Sequence, residues 1–192
     1  LGRLNLKQKA AALEKIAAEI RACRICRRNK TGLPVPGEGN PNADIVFIGE
    51  APGKQEAQTG RPFVGRSGKL LRGLLADIGI DERKVYITSP VKYLPKYVTP
   101  KPSDIAHGRT HLFAQLGVID PKVIVLLGNT AAVAVLGQKF PIAKDHGKII
   151  KRGGKSYFLS YHPAAPLYSP KLREEIKKDF RKLQRLIKAG KP

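Results

Sequence analysis

Four short apolar runs punctuate the chain: Asp44–Gly49, Val85–Thr88, Val123–Gly128 and Ser156–Tyr161. Each is brief and nearly continuously apolar, the form of a strand buried on both faces. Around them the apolar positions recur every three to four residues instead. Leu6, Leu13, Ile16, Ala17 and Ile20 predict a helix over Leu4–Ala22, and Leu70, Leu71, Leu74 and Leu75 predict one over Gly65–Ile78. Further helices are expected over Ser103–Leu116 with Ser103 as N-cap, over Thr130–Leu136, and over Pro170–Ala189. The last places Leu172, Ile176, Phe180, Leu183 and Ile187 on one side and basic residues on the other. Strands alternating with helices give an α/β chain, a three-layer α/β/α sandwich around a central, mainly parallel four-stranded sheet. No internal repeat divides residues 1–192, a length that suits one domain.

Charge narrows the choice of partner. Lys and Arg number 36 against 15 Asp and Glu, a formal net charge of +21. Lys139–Pro192 alone carries 15 basic and 4 acidic residues. A thermophile-type charged surface carries more balanced signs, so the excess points to a polyanion, nucleic acid first. No apolar run approaches the ~18 residues that span a bilayer, and the first residues lack a secretory pattern. The expectation is a cytoplasmic, nucleoid-associated monomer without membrane contact.

The only cysteines, Cys23 and Cys26, stand at a spacing that suits two thiolates sharing one metal. In an open parallel sheet, ligands collect beyond the carboxyl ends of the strands, where three unusual segments fall. They are Gly49-Glu-Ala-Pro-Gly53, Ser89-Pro90 and Tyr161-His-Pro-Ala164. Gly49 and Gly53 permit close backbone approach, and Glu50 puts a carboxylate in the cleft; plain turn chemistry is the alternative. Phe63, in a glycine- and arginine-rich loop, is placed to stack on a base while Arg61 and Arg66 meet phosphate, or else to plug the core. A phosphate-binding P-loop is excluded, because no glycine stands five residues before Gly68-Lys69.

Together these motifs resemble family 4 uracil-DNA glycosylases. The resemblance rests on Gly49-Glu-Ala-Pro-Gly53, Gly60-Arg-Pro-Phe-Val-Gly65, Val85-Tyr-Ile-Thr88 with Val91-Lys92, Pro121-Lys-Val-Ile-Val with Leu127-Gly128, and His162-Pro163, and it covers about Cys23 to Phe180. It implies a cleft for one extra-helical uracil and a hydrolysis that leaves an abasic site. Gly49, Ala51, Phe63 and Ser89 would contact the base, with Phe63 stacked on it. His162 would donate a hydrogen bond to uracil O2, and Glu50 and Glu56 would be the catalytic carboxylates. Arg61, Arg66 and Lys92 would bind DNA, and Pro163, Leu167 and Tyr168 would belong to the loop that enters the duplex.

Two departures from the family pattern matter. Ser89 stands where an asparagine reads uracil, and a hydroxyl cannot reproduce a two-point amide readout. Of the four cysteines that hold the family's four-iron cluster, the third position falls at Tyr93 and the fourth at His107. His111 follows His107 by one helical turn, so Cys23, Cys26, His107 and His111 make a Cys2His2 set. That set favours Zn(II), with an iron-sulfur cluster as the alternative and no metal as the third reading. The leading expectation is a monofunctional DNA glycosylase for uracil. The alternatives are a noncatalytic nucleic-acid-binding module, or a glycosylase for another deaminated base such as hypoxanthine.

Overall fold

The computed structural model describes residues 4–97 and 99–189; residues 1–3, 98 and 190–192 of the expected 1–192 domain lie outside them. In chain order the elements are α1 (Leu6–Ala22), α2 (Arg24–Arg27), β1 (Lys30–Thr31), β2 (Glu38–Gly39), β3 (Ile45–Ile48), α3 (Lys54–Thr59), α4 (Arg66–Asp77), β4 (Tyr86–Thr88) and β5 (Leu94–Pro95). There follow α5 (Pro102–Ile119), β6 (Val123–Leu127), α6 (Asn129–Leu136), α7 (Ile142–Asp145), β7 (Ile149–Arg152), β8 (Lys155–Ser160), α8 (Ala165–Tyr168) and α9 (Leu172–Lys188).

The four expected strands form the parallel centre of the main sheet, in the order β4-β3-β6-β8. The sheet has six strands rather than four, because β2 and β7 add antiparallel edges to β4 and β8. β2 is two residues long and includes a glycine, so no periodicity announces it. β7 joins β8 through Gly153 and Gly154, both at positive φ (58° and 72°), a Gly-Gly hairpin turn that the sequence does display. β1 and β5 pair separately as a two-stranded ribbon.

Alternation along the central strands sends apolar side chains to both faces. Val46, Ile48, Ile124 and Leu126 pack with Leu13, Ile16, Ile20, Leu112 and Leu116 of α1 and α5. Ile45, Phe47, Val125 and Phe158 pack with Leu71, Leu74, Leu75, Ile176, Phe180 and Leu183 of α4 and α9. The result is the three-layer sandwich.

Helix ends obey local chemistry. The Asn5 side chain accepts from Gln8 N–H while Gln8 returns a bond to Asn5 N–H, starting α1 two residues after the expected Leu4. Ser103 is not the cap of α5: the helix begins one residue earlier at Pro102, and the Asp104 carboxylate accepts from Lys101 N–H at 3.0 Å. Proline suits the first helical turn because its missing N–H has no partner to lose there.

Candidate active site

The chain runs from β3 to β4 on one side and then returns to β6 on the other. This reversal opens a crevice at the strand carboxyl ends. A cleft of about 760 Å³ lies there, and Glu50, Ala51, Phe63, Ser89 and His162 all line it. Residues separated by more than a hundred positions thus share one chamber, as the strand-end motifs imply.

Gly49 lies beneath the two rings of this chamber. A Cβ there would stand 2.7 Å from the Phe63 ring, which would have to move, and in ordinary contact with His162 Nε2 at 3.7 Å. Phe63 is buried and holds a left-handed backbone (φ 53°), which costs a non-glycine residue free energy and persists only when its surroundings fix it. Three contacts supply that fixation. The Arg72 guanidinium donates to Phe63 C=O. Gly68 lets the same carbonyl approach so closely that a Cβ would stand 1.7 Å from it. Glu56 accepts from Val64 N–H and Gly65 N–H, both at 2.8 Å.

Glu56 also accepts from Gly53 N–H at 3.1 Å and is buried. Both oxygens accept from backbone amides, so the carboxylate organises the Phe63 loop at the wall of the cleft that it also lines. Glu50 differs: one oxygen accepts from the Thr130 hydroxyl at 2.7 Å, and Thr130 lies in the first turn of α6.

His162 follows β8, its ring 5.7 Å from that of Phe63 and tilted by 30°. Ala164 N–H donates to His162 Nδ1 at 3.1 Å, which fixes the neutral tautomer with hydrogen on Nε2. Burial lowers the pKa to about 4, against a smaller opposing pull from Glu56. At neutral pH the cleft therefore holds an uncharged ring with one N–H to give. Ser89 Oγ donates to Val91 C=O at 2.8 Å, so its single proton is used and lone pairs remain to accept.

The expected DNA contacts divide. Arg66 is exposed, and Leu167 and Tyr168 form an exposed tip, Tyr168 being 88% accessible. Pro163 is buried behind that tip. Arg61 is exposed but engaged by Glu38 through two bonds of 2.8 and 3.1 Å. Lys92 is a correction: it is enclosed, donating to Pro36 C=O, Thr88 Oγ1 and Gln115 Oε1 at 2.8–2.9 Å, and burial lowers its pKa to about 7. A lysine so placed cannot meet phosphate.

Cys23, Cys26, His107 and His111 converge on the α5 side of the sheet, with one donor atom of each within 4.8 Å of the others. Cys23 closes α1 and caps α2, while both histidines project from α5. Both thiols are free, and Cys23 Sγ lies 3.2 Å from His107 Nε2. His111 Nε2 is buried with no hydrogen-bond partner among the described residues, an atom that costs free energy unless something binds it. Two sulfurs and two imidazoles at this separation fit a metal ion. Tyr93 is not one of the group: its hydroxyl reaches Arg21 C=O at 3.4 Å.

A profile of the family described as the uracil DNA glycosylase superfamily matches residues 36–185. The chain belongs to that superfamily. Among its relatives, the type-4 uracil-DNA glycosylase of Archaeoglobus fulgidus is 42% identical over 191 residues, covering 94% of this chain and 96% of its own. The type-4 uracil-DNA glycosylase of Thermotoga maritima is 41% identical over 183 residues, covering 92% and 95%. That of Sulfurisphaera tokodaii is 38% identical over 190 residues, covering 91% and 84%. The superfamily profile spans every strand-end segment of the cleft but begins after Cys26, so it does not reach the first two members of the metal group.

Two features of the site escaped sequence reading. Thr130 was visible only as a hydroxyl residue beginning a helix. Asp179 is fully buried on α9, accepting from Ser160 Oγ at 3.0 Å and paired with His146 Nδ1 at 2.9 Å. The His146 ring in turn lies 4.6 Å from that of Tyr161, the neighbour of His162, so this network ties α9 to the end of β8. An acid between Ile176 and Phe180, on the apolar stripe of a helix, was the available signal.

Proposed function

We propose that this chain is a DNA-repair enzyme that hydrolyses the N-glycosidic bond of uracil in DNA and leaves an abasic site. The observation that carries the reading is the arrangement of His162, Phe63, Ser89 and Glu50 around one cleft, with His162 neutral and its Nε2–H unclaimed.

The base, flipped from the duplex, lies beside Phe63 with its ring N–H toward Ser89 Oγ. As the C1′–N1 bond breaks, its electron pair moves into the base and negative charge grows on O2. The His162 Nε2–H stabilises that charge without itself becoming charged. Glu50, held by Thr130, faces the electron-poor sugar and orients a water whose oxygen bonds to C1′. One of the water's two protons stays on the new C1′ hydroxyl and the other is released, and the expelled base takes one up from solvent. Glu56 and Lys92 have no part in these steps. Leu167 and Tyr168 fill the gap left in the stack.

The metal group is proposed to hold one structural Zn(II). Ligand atoms around a single tetrahedral ion lie about 3.3–3.8 Å apart, given bonds of ~2.0–2.3 Å. A set compressed within 4.8 Å matches that better than an iron-sulfur cluster, whose ligands are spread over several iron atoms. The ion would pin α1 and α2 to α5, outside the base cleft, and would supply no step of the reaction.

The test is incubation with a duplex carrying one uracil, followed by alkali to cleave abasic sites. Scission at the uracil position supports the reading. Tight, salt-sensitive binding without scission, for uracil and hypoxanthine alike, would instead assign the chain as a noncatalytic DNA-binding module.

A further inference from the structure

α8 separates two cavities. Ala165 and Tyr168 line the base cleft, while Pro166 and Leu167, between them in sequence, line a second groove of about 690 Å³. This groove runs between α4 and α9. Arg66 and Lys69 stand on one wall, Arg173 and Lys177 on the other, and Leu74 and Pro166 lie at its floor.

The spacing makes each wall a ladder. Arg66 and Lys69 are three apart, and Arg173 and Lys177 four apart, so each pair shares one face of its helix. Asp77 is the acidic residue at the groove, and Lys177 is met by Glu174 at 2.9 Å. Arg66, Lys69 and Arg173 make no ion pair among the described residues. Three uncompensated cations around an apolar floor, one short helix away from the base cleft, are arranged for a flexible polyanion.

We propose that the α4–α9 groove seats the sugar-phosphate backbone of DNA beside the extruded nucleotide, with Arg66, Lys69 and Arg173 meeting phosphates and the half-buried Leu70 packing against sugar. The proposal rests on the reading that the neighbouring cleft receives a base from DNA. It also settles which part of the basic side of α9 acts on DNA. The groove end, at Arg173, faces phosphate, whereas Lys177 and Lys178 are paired with Glu174 and Glu175.

The experiment measures affinity for a uracil-free duplex across a salt series, which reads binding without any reaction. Each phosphate contact contributes a slope of about 0.9 in log K against log salt for duplex DNA. The Lys69→Gln/Arg173→Gln double variant is expected to lose about 1.8 of that slope and roughly tenfold in affinity at moderate salt. Lys151→Gln/Arg152→Gln makes the same change of net charge at the far end of the sheet, on β7. It is expected to leave the slope unaltered. Thermal melts establish that both variants are folded.

A wild-type slope and affinity in the groove variant would overturn the proposal, as would equal losses in both variants, which would mark a general effect of net charge. Displacement of the groove variant from an acidic polypeptide but not from DNA would give the site to a protein partner and overturn it too. Uracil excision by the wild type is measured separately. Its absence removes the glycosylase reading, while the salt slope alone decides the groove.

Discussion

The Thr130 hydroxyl donates to the Glu50 carboxylate at 2.7 Å, joining the ends of β6 and β3 across the point where the winding of the sheet reverses. Among the described residues the second Glu50 oxygen accepts no hydrogen bond. A hydrogen bond to a charged group contributes about 1.5–3 kcal/mol, so Thr130→Val should lower the single-turnover excision rate by roughly tenfold or more. Thr130→Ser, which restores the hydroxyl, should recover most of it. An equal loss in both variants would show that the methyl group, not the bond, matters.

The neutrality of His162 has a pH signature. Its folded pKa is depressed to about 4 by burial, below the ordinary value of 6.5. A basic group depressed in this way contributes stability that is present above its unfolded pKa and is lost as pH falls from 6.5 toward 4. Excision should accordingly show no step near pH 6.5 from this ring, and its imidazole resonances should titrate near pH 4. A histidine titrating at 6.5 with a parallel change in rate would contradict the assigned tautomer and role.

Ser89 spends its proton on Val91 C=O and can only accept from a base. Uracil presents an N–H at ring position 3, where cytosine has a lone pair. Ser89→Ala should therefore lower uracil excision by about tenfold, the value of one buried hydrogen bond. It should also narrow the preference for uracil over cytosine. An unchanged uracil rate would remove Ser89 from base reading.

Metal analysis of the purified protein should find one zinc per chain in a colourless solution. Chelation should lower the melting temperature, because ion binding is available only to the folded arrangement of the four ligands. His111→Ala should abolish stoichiometric zinc while leaving the cleft assembled. A brown protein with iron and sulfide would contradict the single-ion reading.

Much of this architecture was legible in the chain. The four parallel strands announced themselves because they are buried on both faces, and His107 and His111 because one helical turn brings them together. What was hidden depended on three-dimensional partners. Lys92 reads as surface charge, yet Pro36, Thr88 and Gln115 meet all three of its donors in the interior. Glu56 and Glu50 are equally acidic in sequence, and only the backbone amides of Gly53, Val64 and Gly65, which bind Glu56 and not Glu50, tell the two apart. β2 stayed invisible because two residues carry no period, whereas β7 was missed although Gly153-Gly154 offers a turn signal before β8.

The central claim is that one carboxylate, Glu50, and a neutral imidazole, His162, release uracil from DNA. Single-turnover excision of uracil opposite guanine, compared between the wild type and Glu50→Gln, tests it most directly. An abasic product is expected from the wild type, with a rate about 10²–10⁴-fold lower in the variant, the range for loss of a group that acts on the attacking water. Equal rates for the two proteins would contradict it.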